Sequence, residues 1–150
     1  MKNQTILNQL PYSTPFLFVD EVTDLGENGA VGNFLFHKDL DFFKGHFTDM
    51  PVVPGVLLTE CCAQIGLVCL GIFLMSASSD GLNGELGVAM SSSEMQFYIP
   101  VYPGEKVEVH SLKRYFRFNK LKCAVKMYNS RKELVCEGIL AGMLKIDSYE

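Results

Sequence analysis

The segment from His46 to Glu60 contains, within fifteen residues, a histidine, a carboxylate and the predicted start of a helix. The imidazole of His46, in a loop after Gly45, can take a proton near neutral pH. Glu60 is surrounded in the sequence by leucines and cysteines, and the loss of hydration there favours its protonated form. A protonated glutamic acid can serve as a general acid. A base and an acid this close together indicate proton-transfer chemistry.

The dipeptide Pro54-Gly55 predicts where the helix begins. Proline suits the first helical turn, because its missing N–H is not needed there. The N–H groups of Gly55 and Val56 then have no intrahelical partner, and they could hold an oxyanion such as an enolate. With His46 as the base and Glu60 as the acid, the set supplies what a 3-hydroxyacyl thioester needs to lose water.

Each of these features also has a plainer interpretation. Glu60 could be a structural carboxylate paired with a distant lysine or with Gln64, which lies one turn further on the same helix face. His46 could be an ordinary hydrogen-bonding residue, as we assume for His37 and His110. The proline–glycine pair could be a simple helix start. The sequence shows no cluster of metal ligands, and we expect neither a metal nor another cofactor.

The apolar run that reaches Met75 predicts one long buried helix. A membrane span would need about 20 consecutive apolar residues. Glu60 and Gln64 interrupt the run and leave eleven uninterrupted apolar residues after Gln64. A carboxylate inside lipid costs at least a few kcal/mol. We therefore expect a soluble core helix and no membrane span.

The flanking sequence predicts the strands that position this helix. We expect a short helix over 3–9 capped by Asn3, and a hairpin tip at Asn119-Lys120. Serines at 91–93 are expected to break one strand. Strands joined by short turns predict an α+β domain over 1–150, in which a curved antiparallel sheet, or a second subunit, covers the helix. The strand candidates are 16–19, 30–37, 85–99, 105–118, 121–128 and 133–146.

Bulk composition limits the function classes. The chain is 48% apolar and 20% charged, and its net charge of −4 gives no reason to expect nucleic acid as a partner. No apolar segment follows the N-terminal residues, so we expect no signal peptide. We interpret the five cysteines as small buried hydrophobes in a reducing cytoplasm: Cys61, Cys62, Cys69, Cys123 and Cys136.

At four places the chain resembles the 3-hydroxyacyl-acyl-carrier-protein dehydratases, the FabZ/FabA group with the hotdog fold. The matching segments are 10–20, 42–47, 51–60 and 97–105, which read LPYSTPFLFVD, FFKGHF, PVVPGVLLTE and FYIPVYPGE. The resemblance implies dehydration of (3R)-hydroxyacyl-acyl-carrier-protein to the trans-2-enoyl product, with His46 and Glu60 as the catalytic pair. It also implies a homodimer, or a trimer of dimers, in which His46 of one subunit meets Glu60 of the other.

The same resemblance implies an acyl tunnel along the helix, with Phe47, Phe97 and Gln64 as lining residues. The carrier protein is acidic, so basic residues near the tunnel mouth would dock it by charge. The candidates, which could equally be ordinary solvated positions, are Lys44, Arg114, Arg117, Lys120 and Lys122.

The chain departs from the family pattern at Tyr12, where histidine is common, and at Thr48, where proline is common. It also lacks a basic residue at 97–98. These departures suit a specialised polyene or secondary-metabolite pathway as well as bulk fatty-acid synthesis. Two other functions stay open: another hotdog enzyme, such as a thioesterase or enoyl-CoA hydratase, or a non-catalytic partner of the carrier protein.

Overall fold

The computed structural model describes residues 3–77 and 84–148, which form a six-stranded antiparallel sheet around one long helix. A short 3-10 helix, Asp41–Lys44, precedes the loop over 45–54 that carries His46, here called the site loop. The central helix consists of α2, Gly55–Ala63, a π-helical segment, Gln64–Cys69, and α3, Leu70–Ala77. The other elements are α1, Asn3–Asn8; β1, Glu21–Gly26; β2, Gly29–Leu35; β3, Gly84–Phe97; β4, Lys106–Arg117; β5, Lys120–Tyr128; and β6, Leu134–Ser148.

The strands lie in the order β1-β2-β4-β5-β6-β3. Three of the five antiparallel ladders, β1–β2, β4–β5 and β5–β6, join consecutive strands through short connections, as the sequence predicts for an antiparallel sheet. The other two ladders join strands that are far apart along the chain: β2 pairs with β4, and β3 pairs with β6 and forms one edge of the sheet. The predicted α+β class is therefore confirmed, although the strands are not arranged in simple succession.

Alternating side chains on the central strands build the wall that faces the helix. In β5, Leu121, Cys123, Val125 and Met127 are buried, and the residues between them point to the outer face. At Gly66 the helix approaches this wall closely. A Cβ there would lie 2.9 Å from both Ser111 Cβ and Val125 Cγ1, so a larger residue would force the layers apart.

The central helix has the length and composition of a membrane span over Gly55–Ser76, with a mean hydropathy of 2.0. Its surroundings are protein, however, since 72% of that apolar window is buried inside the fold. All six residues of the π-helical segment are buried. This is the environment of a core helix, apolar nearly all round because the sheet encloses it.

Several local predictions are wrong. Residues 16–19 form no strand, because the Phe18 N–H donates to the side chain of Gln64 (2.8 Å) instead of to a neighbouring strand. The serines do not break β3, which continues past a register shift between Met90 and Ser92. The side chain of Asn3 donates to the Val22 carbonyl (2.6 Å) instead of capping α1. Most of the loop predicted over 76–84 lies outside the described residues.

Candidate active site

The loop that follows the short 3-10 helix fixes the orientation of His46. The Val52 N–H donates to the His46 carbonyl (2.9 Å), and the Nδ1 atom of His46 lies 2.9 Å from the Val52 carbonyl oxygen. Because a carbonyl oxygen only accepts, Nδ1 must carry the hydrogen. The lone pair of neutral imidazole is then on Nε2. The ring stacks on Phe47, with centroids 4.2 Å apart. His46 is therefore a partly exposed imidazole with one basic nitrogen free to take a proton.

The second predicted catalytic residue, Glu60, is half-buried in the second turn of the central helix. Burial raises the pKa of Glu60 above its ordinary value of 4.5, because the charged form loses hydration. A hydrogen bond from Gln64 Nε2 to Glu60 Oε2 (2.9 Å) favours the charged form and offsets part of this effect. The predicted direction of the pKa shift is the one that a general acid needs.

Gln64 holds Glu60 and the N-terminal loop together. Its side chain is fully buried, and its Nε2 donates both to Glu60 and to the Phe16 carbonyl (3.0 Å). Its Oε1 accepts from the Phe18 N–H (2.8 Å). Losing this amide would leave buried backbone groups without a partner, at a cost of about 1–3 kcal/mol each. The i, i+4 spacing predicts the pairing with Glu60 but not the link to the loop. The lining role of Gln64 stays a prediction.

The helix start presents open backbone N–H groups. Pro54 lies one position earlier than predicted, as the N-cap, and its carbonyl accepts from the N–H groups of Leu57 (2.9 Å) and Leu58 (3.1 Å). Among the described residues, no hydrogen bond satisfies the N–H groups of Gly55 and Val56. Both residues are exposed. These two donors are thus available to an external acceptor.

Exposed apolar side chains lie at the helix start and in the loop before it. The ring of Phe97 lies about 3.5 Å from where a Cβ on Gly55 would stand, so the end of β3 borders the open amides. Val56 is 76% exposed, Phe47 58% and Phe97 48%. Within the described part of one chain, no hydrogen bond or ion pair joins His46 to Glu60. A single chain therefore brings together the acid and the amides, and leaves an apolar surface beside them.

Tyr12 lies close enough to Glu60 to feel its charge, a proximity that the sequence does not predict. Burial, and next the negative charge of Glu60, raise the pKa of the Tyr12 phenol to about 12. The phenol is thus a neutral hydrogen-bond donor near the acid. The signal in the sequence is the position of Tyr12, where the family that the chain resembles commonly has histidine.

The two described cavities lie away from these residues. One, of about 500 Å³, lies on the outer face of the sheet between β2, β4 and β5, and the other, of about 330 Å³, lies on that face near β6. Neither is lined by His46, Glu60 or Gly55. The outer face of the sheet is therefore separate from the candidate site.

Comparison with known proteins shows the family of the chain. Residues 10–137 match the model of the FabA-like domain. The 3-hydroxyacyl-[acyl-carrier-protein] dehydratase FabZ of Oleidesulfovibrio alaskensis is 39% identical over 108 residues, which cover 70% of this chain and 66% of the relative. FabZ of Agrobacterium fabrum is 32% identical over 143 residues, which cover 93% of this chain and 86% of the relative.

Solved structures confirm the hotdog fold. The dehydratase heterocomplex ApeI:P from Xenorhabdus doucetiae matches with a TM-score of 0.79 at 11% identity, covering 93% of this chain and 90% of that one. A hypothetical thioesterase with coenzyme A from Streptococcus pneumoniae matches with a TM-score of 0.62 at 10% identity, covering 86% and 88%. At such identities the likeness concerns the fold alone.

Proposed function

The chain belongs to the FabA-like family, and from this premise we propose that it removes water from (3R)-hydroxyacyl chains carried as thioesters on acyl carrier protein. The product is the trans-2-enoyl thioester. Relatives named as FabZ dehydratases support the reaction. The observation that carries the proposal is the half-buried Glu60, whose pKa is raised, one turn after the open amides of Gly55 and Val56.

The reaction needs two proton transfers and one oxyanion site. Nε2 of His46 removes the proton from the carbon next to the thioester carbonyl, while the Val52 carbonyl holds Nδ1–H. The electron pair moves to the thioester oxygen, and the N–H groups of Gly55 and Val56 stabilise the resulting enolate. Glu60 then protonates the hydroxyl on the next carbon, which leaves as water as the double bond forms. Before the next cycle, His46 loses the proton that it took and Glu60 regains the proton that it gave.

We place the complete site between two subunits of a homodimer, where His46 of one chain faces Glu60 of the other. The apolar surface at Phe47, Val56 and Phe97 supports this arrangement, because a partner would cover it. The fourteen-residue β3 supports it as well, since an edge strand of this length offers an open ladder for pairing. A trimer of dimers and a cytoplasmic location are further parts of the proposal, and the single domain over 1–150 stays a prediction.

A mixture of two inactive variants tests the shared site. After His46→Ala and Glu60→Gln chains are refolded together, about half of the dimers contain one chain of each kind. Each mixed dimer then has one site with both wild-type residues, and we expect about a quarter of wild-type activity. The measurement is the dehydration rate of the mixture against each variant refolded alone. A mixture as inactive as its components would place both residues of one site in one chain.

Mass spectrometry of carrier-bound 3-hydroxyacyl substrates tests the reaction itself. We expect the acyl chain to lose the mass of one water, and a series of chain lengths identifies the preferred substrate. The same chains on coenzyme A show whether the carrier protein is required. Release of free carrier thiol without an enoyl product would instead indicate a thioesterase. Binding of the carrier without any change in mass would indicate a non-catalytic partner.

A further inference from the structure

The β4–β5 hairpin concentrates the positive charge of an acidic protein. Between Glu108 and Glu133 lie eight of the thirteen Lys and Arg residues and none of the seventeen Asp and Glu residues. The rest of the chain therefore combines five basic residues with all seventeen acidic ones. Six of the eight lie in the hairpin, Lys113, Arg114, Arg117, Lys120, Lys122 and Lys126, and two lie in the turn after β5, Arg131 and Lys132. Such an asymmetry indicates attraction between this hairpin and a negatively charged partner.

The cations nearest the hairpin tip are not neutralised by this chain. Arg117 and Lys120 are cross-strand partners on either side of the tip. Among the ion pairs of the described residues, none includes Arg114, Arg117, Lys120 or Lys122. Lys44, by contrast, is paired with Asp41 at 3.2 Å. Of the candidate docking residues in the sequence, the hairpin group is thus the one whose charge is free to act on a partner.

Phe118 lies at the hairpin tip, between the cross-strand partners Arg117 and Lys120. It is 94% exposed, the highest value among the exposed large apolar side chains of the described residues. Its φ is 53° and that of Asn119 is 61°, a left-handed pair that glycine and asparagine adopt far more readily than phenylalanine. Local folding preferences therefore do not account for an aromatic ring at this position.

The tip is held firmly enough to present the ring. The Leu144 N–H donates to the Asn119 carbonyl (2.9 Å), which ties the turn to β6. Leu121, immediately after the tip, is fully buried, and the Arg117 guanidinium lies 4.3 Å from the centroid of the Tyr115 ring. An ordered turn with an exposed ring and surrounding cations has the anatomy of a binding hot spot with a polar rim.

We propose that Phe118 is the hydrophobic anchor of a docking surface for an acidic protein domain, the carrier of the acyl chain. This inference rests on the proposed function, which supplies the acidic partner. The cations around the ring attract and orient the carrier, and the ring supplies apolar contact area at the centre of the interface.

The position of the tip suits delivery across the proposed dimer. Within one chain, the hairpin tip and the helix start lie at different positions along β3. Lys120, at the tip, pairs with Met143 of β6, which pairs with Ala89 of β3. The helix start at Gly55 lies beside Phe97, at the end of β3. These two points on β3 are about 26 Å apart. Two-fold pairing of the β3 edges would run the strands antiparallel, and an axis near the middle of β3 would bring the tip of one chain to the side of the partner's helix start. A carrier held at Phe118 would then serve the site that contains the partner's Gly55.

A Phe118→Ser variant tests the anchor. We expect the KM for a carrier-bound substrate to rise about tenfold, equivalent to about 1.4 kcal/mol of binding, with kcat retained. Turnover of the N-acetylcysteamine thioester of the same acyl chain, which has no carrier protein, should not change. Direct binding of carrier protein, measured by calorimetry, should weaken by a similar factor. Leu112→Ser is the matched control, because Leu112 is a 66% exposed apolar residue on the same hairpin, far from its tip.

Three results would overturn the anchor. An unchanged KM and carrier affinity would show that Phe118 contributes nothing to docking. An equal loss on the carrier-free thioester would show a structural defect. Binding to phosphatidylglycerol vesicles that requires Phe118, without binding to carrier protein, would make the partner a lipid surface. If no substrate is dehydrated and carrier binding still depends on Phe118, the proposed function fails and the anchor stands.

Discussion

Replacing His46 with alanine lowers kcat for dehydration by at least about a hundredfold, because the variant loses the base that starts the reaction. The Val52 carbonyl fixes Nδ1–H, so Nε2 is the atom that takes the proton, and alanine has no equivalent. The binding of substrate should change much less than its turnover. Steady-state rates on a carrier-bound 3-hydroxyacyl substrate, with thermal unfolding to confirm the fold, provide the measurement.

The matched control is His37→Ala. His37 is exposed, and it precedes the 3-10 helix that leads to the site loop. This substitution should leave kcat within about twofold of wild type, since surface changes away from special features have small effects. A His46→Ala variant with near-normal turnover would remove His46 from the mechanism.

Glu60→Gln produces effects of opposite sign on activity and on stability. The substitution removes the acidic proton while it keeps the size of the side chain, so we expect turnover to fall by at least about a hundredfold. It also removes a carboxyl whose ionised form is disfavoured by burial. The variant should therefore be more resistant to urea than wild type at neutral pH.

The pH dependence follows from the direction of the pKa shift. The folded pKa of Glu60 lies above its ordinary value of 4.5, so the stability that the neutral carboxyl contributes is fully present below that value. It is lost as the pH rises through the folded pKa. Urea unfolding at a series of pH values should show this: as the pH rises, the free energy of unfolding of wild type decreases relative to that of Glu60→Gln. In wild type, kcat should also fall as the pH rises, because Glu60 must be protonated to act as the acid. A stability difference that shrinks with increasing pH would contradict the raised pKa.

The local chemistry of the site was predictable because its signals are close in sequence. Leucines and cysteines beside Glu60 predict a desolvated carboxyl, and the i, i+4 spacing predicts its contact with Gln64. The helix start at Gly55 follows from the proline before it. The alternation in β4 and β5 likewise predicts which side chains face the helix.

The errors arose where distant groups override local pattern. Residues 16–19 look like an apolar strand, but Phe18 bonds to a side chain 46 residues away. The serines of β3 suggest a break, yet β6 pairs with both sides of a single irregularity. The charge of Glu60 acts on Tyr12 from a position 48 residues away in the sequence. None of these long-range contacts is visible in the composition or periodicity of a short segment.

The buried thiols restrict how this protein can be chemically damaged. All five cysteines are free and buried. Burial raises the pKa of Cys69 and Cys123 to about 12, and it also raises the pKa of Cys61 well above its ordinary value. Oxidants and alkylating reagents attack the thiolate, which is scarce in the folded chain. Any covalent lesion at these sulfurs therefore records an earlier opening of the core, and once formed it blocks the tight repacking of the helix against the sheet.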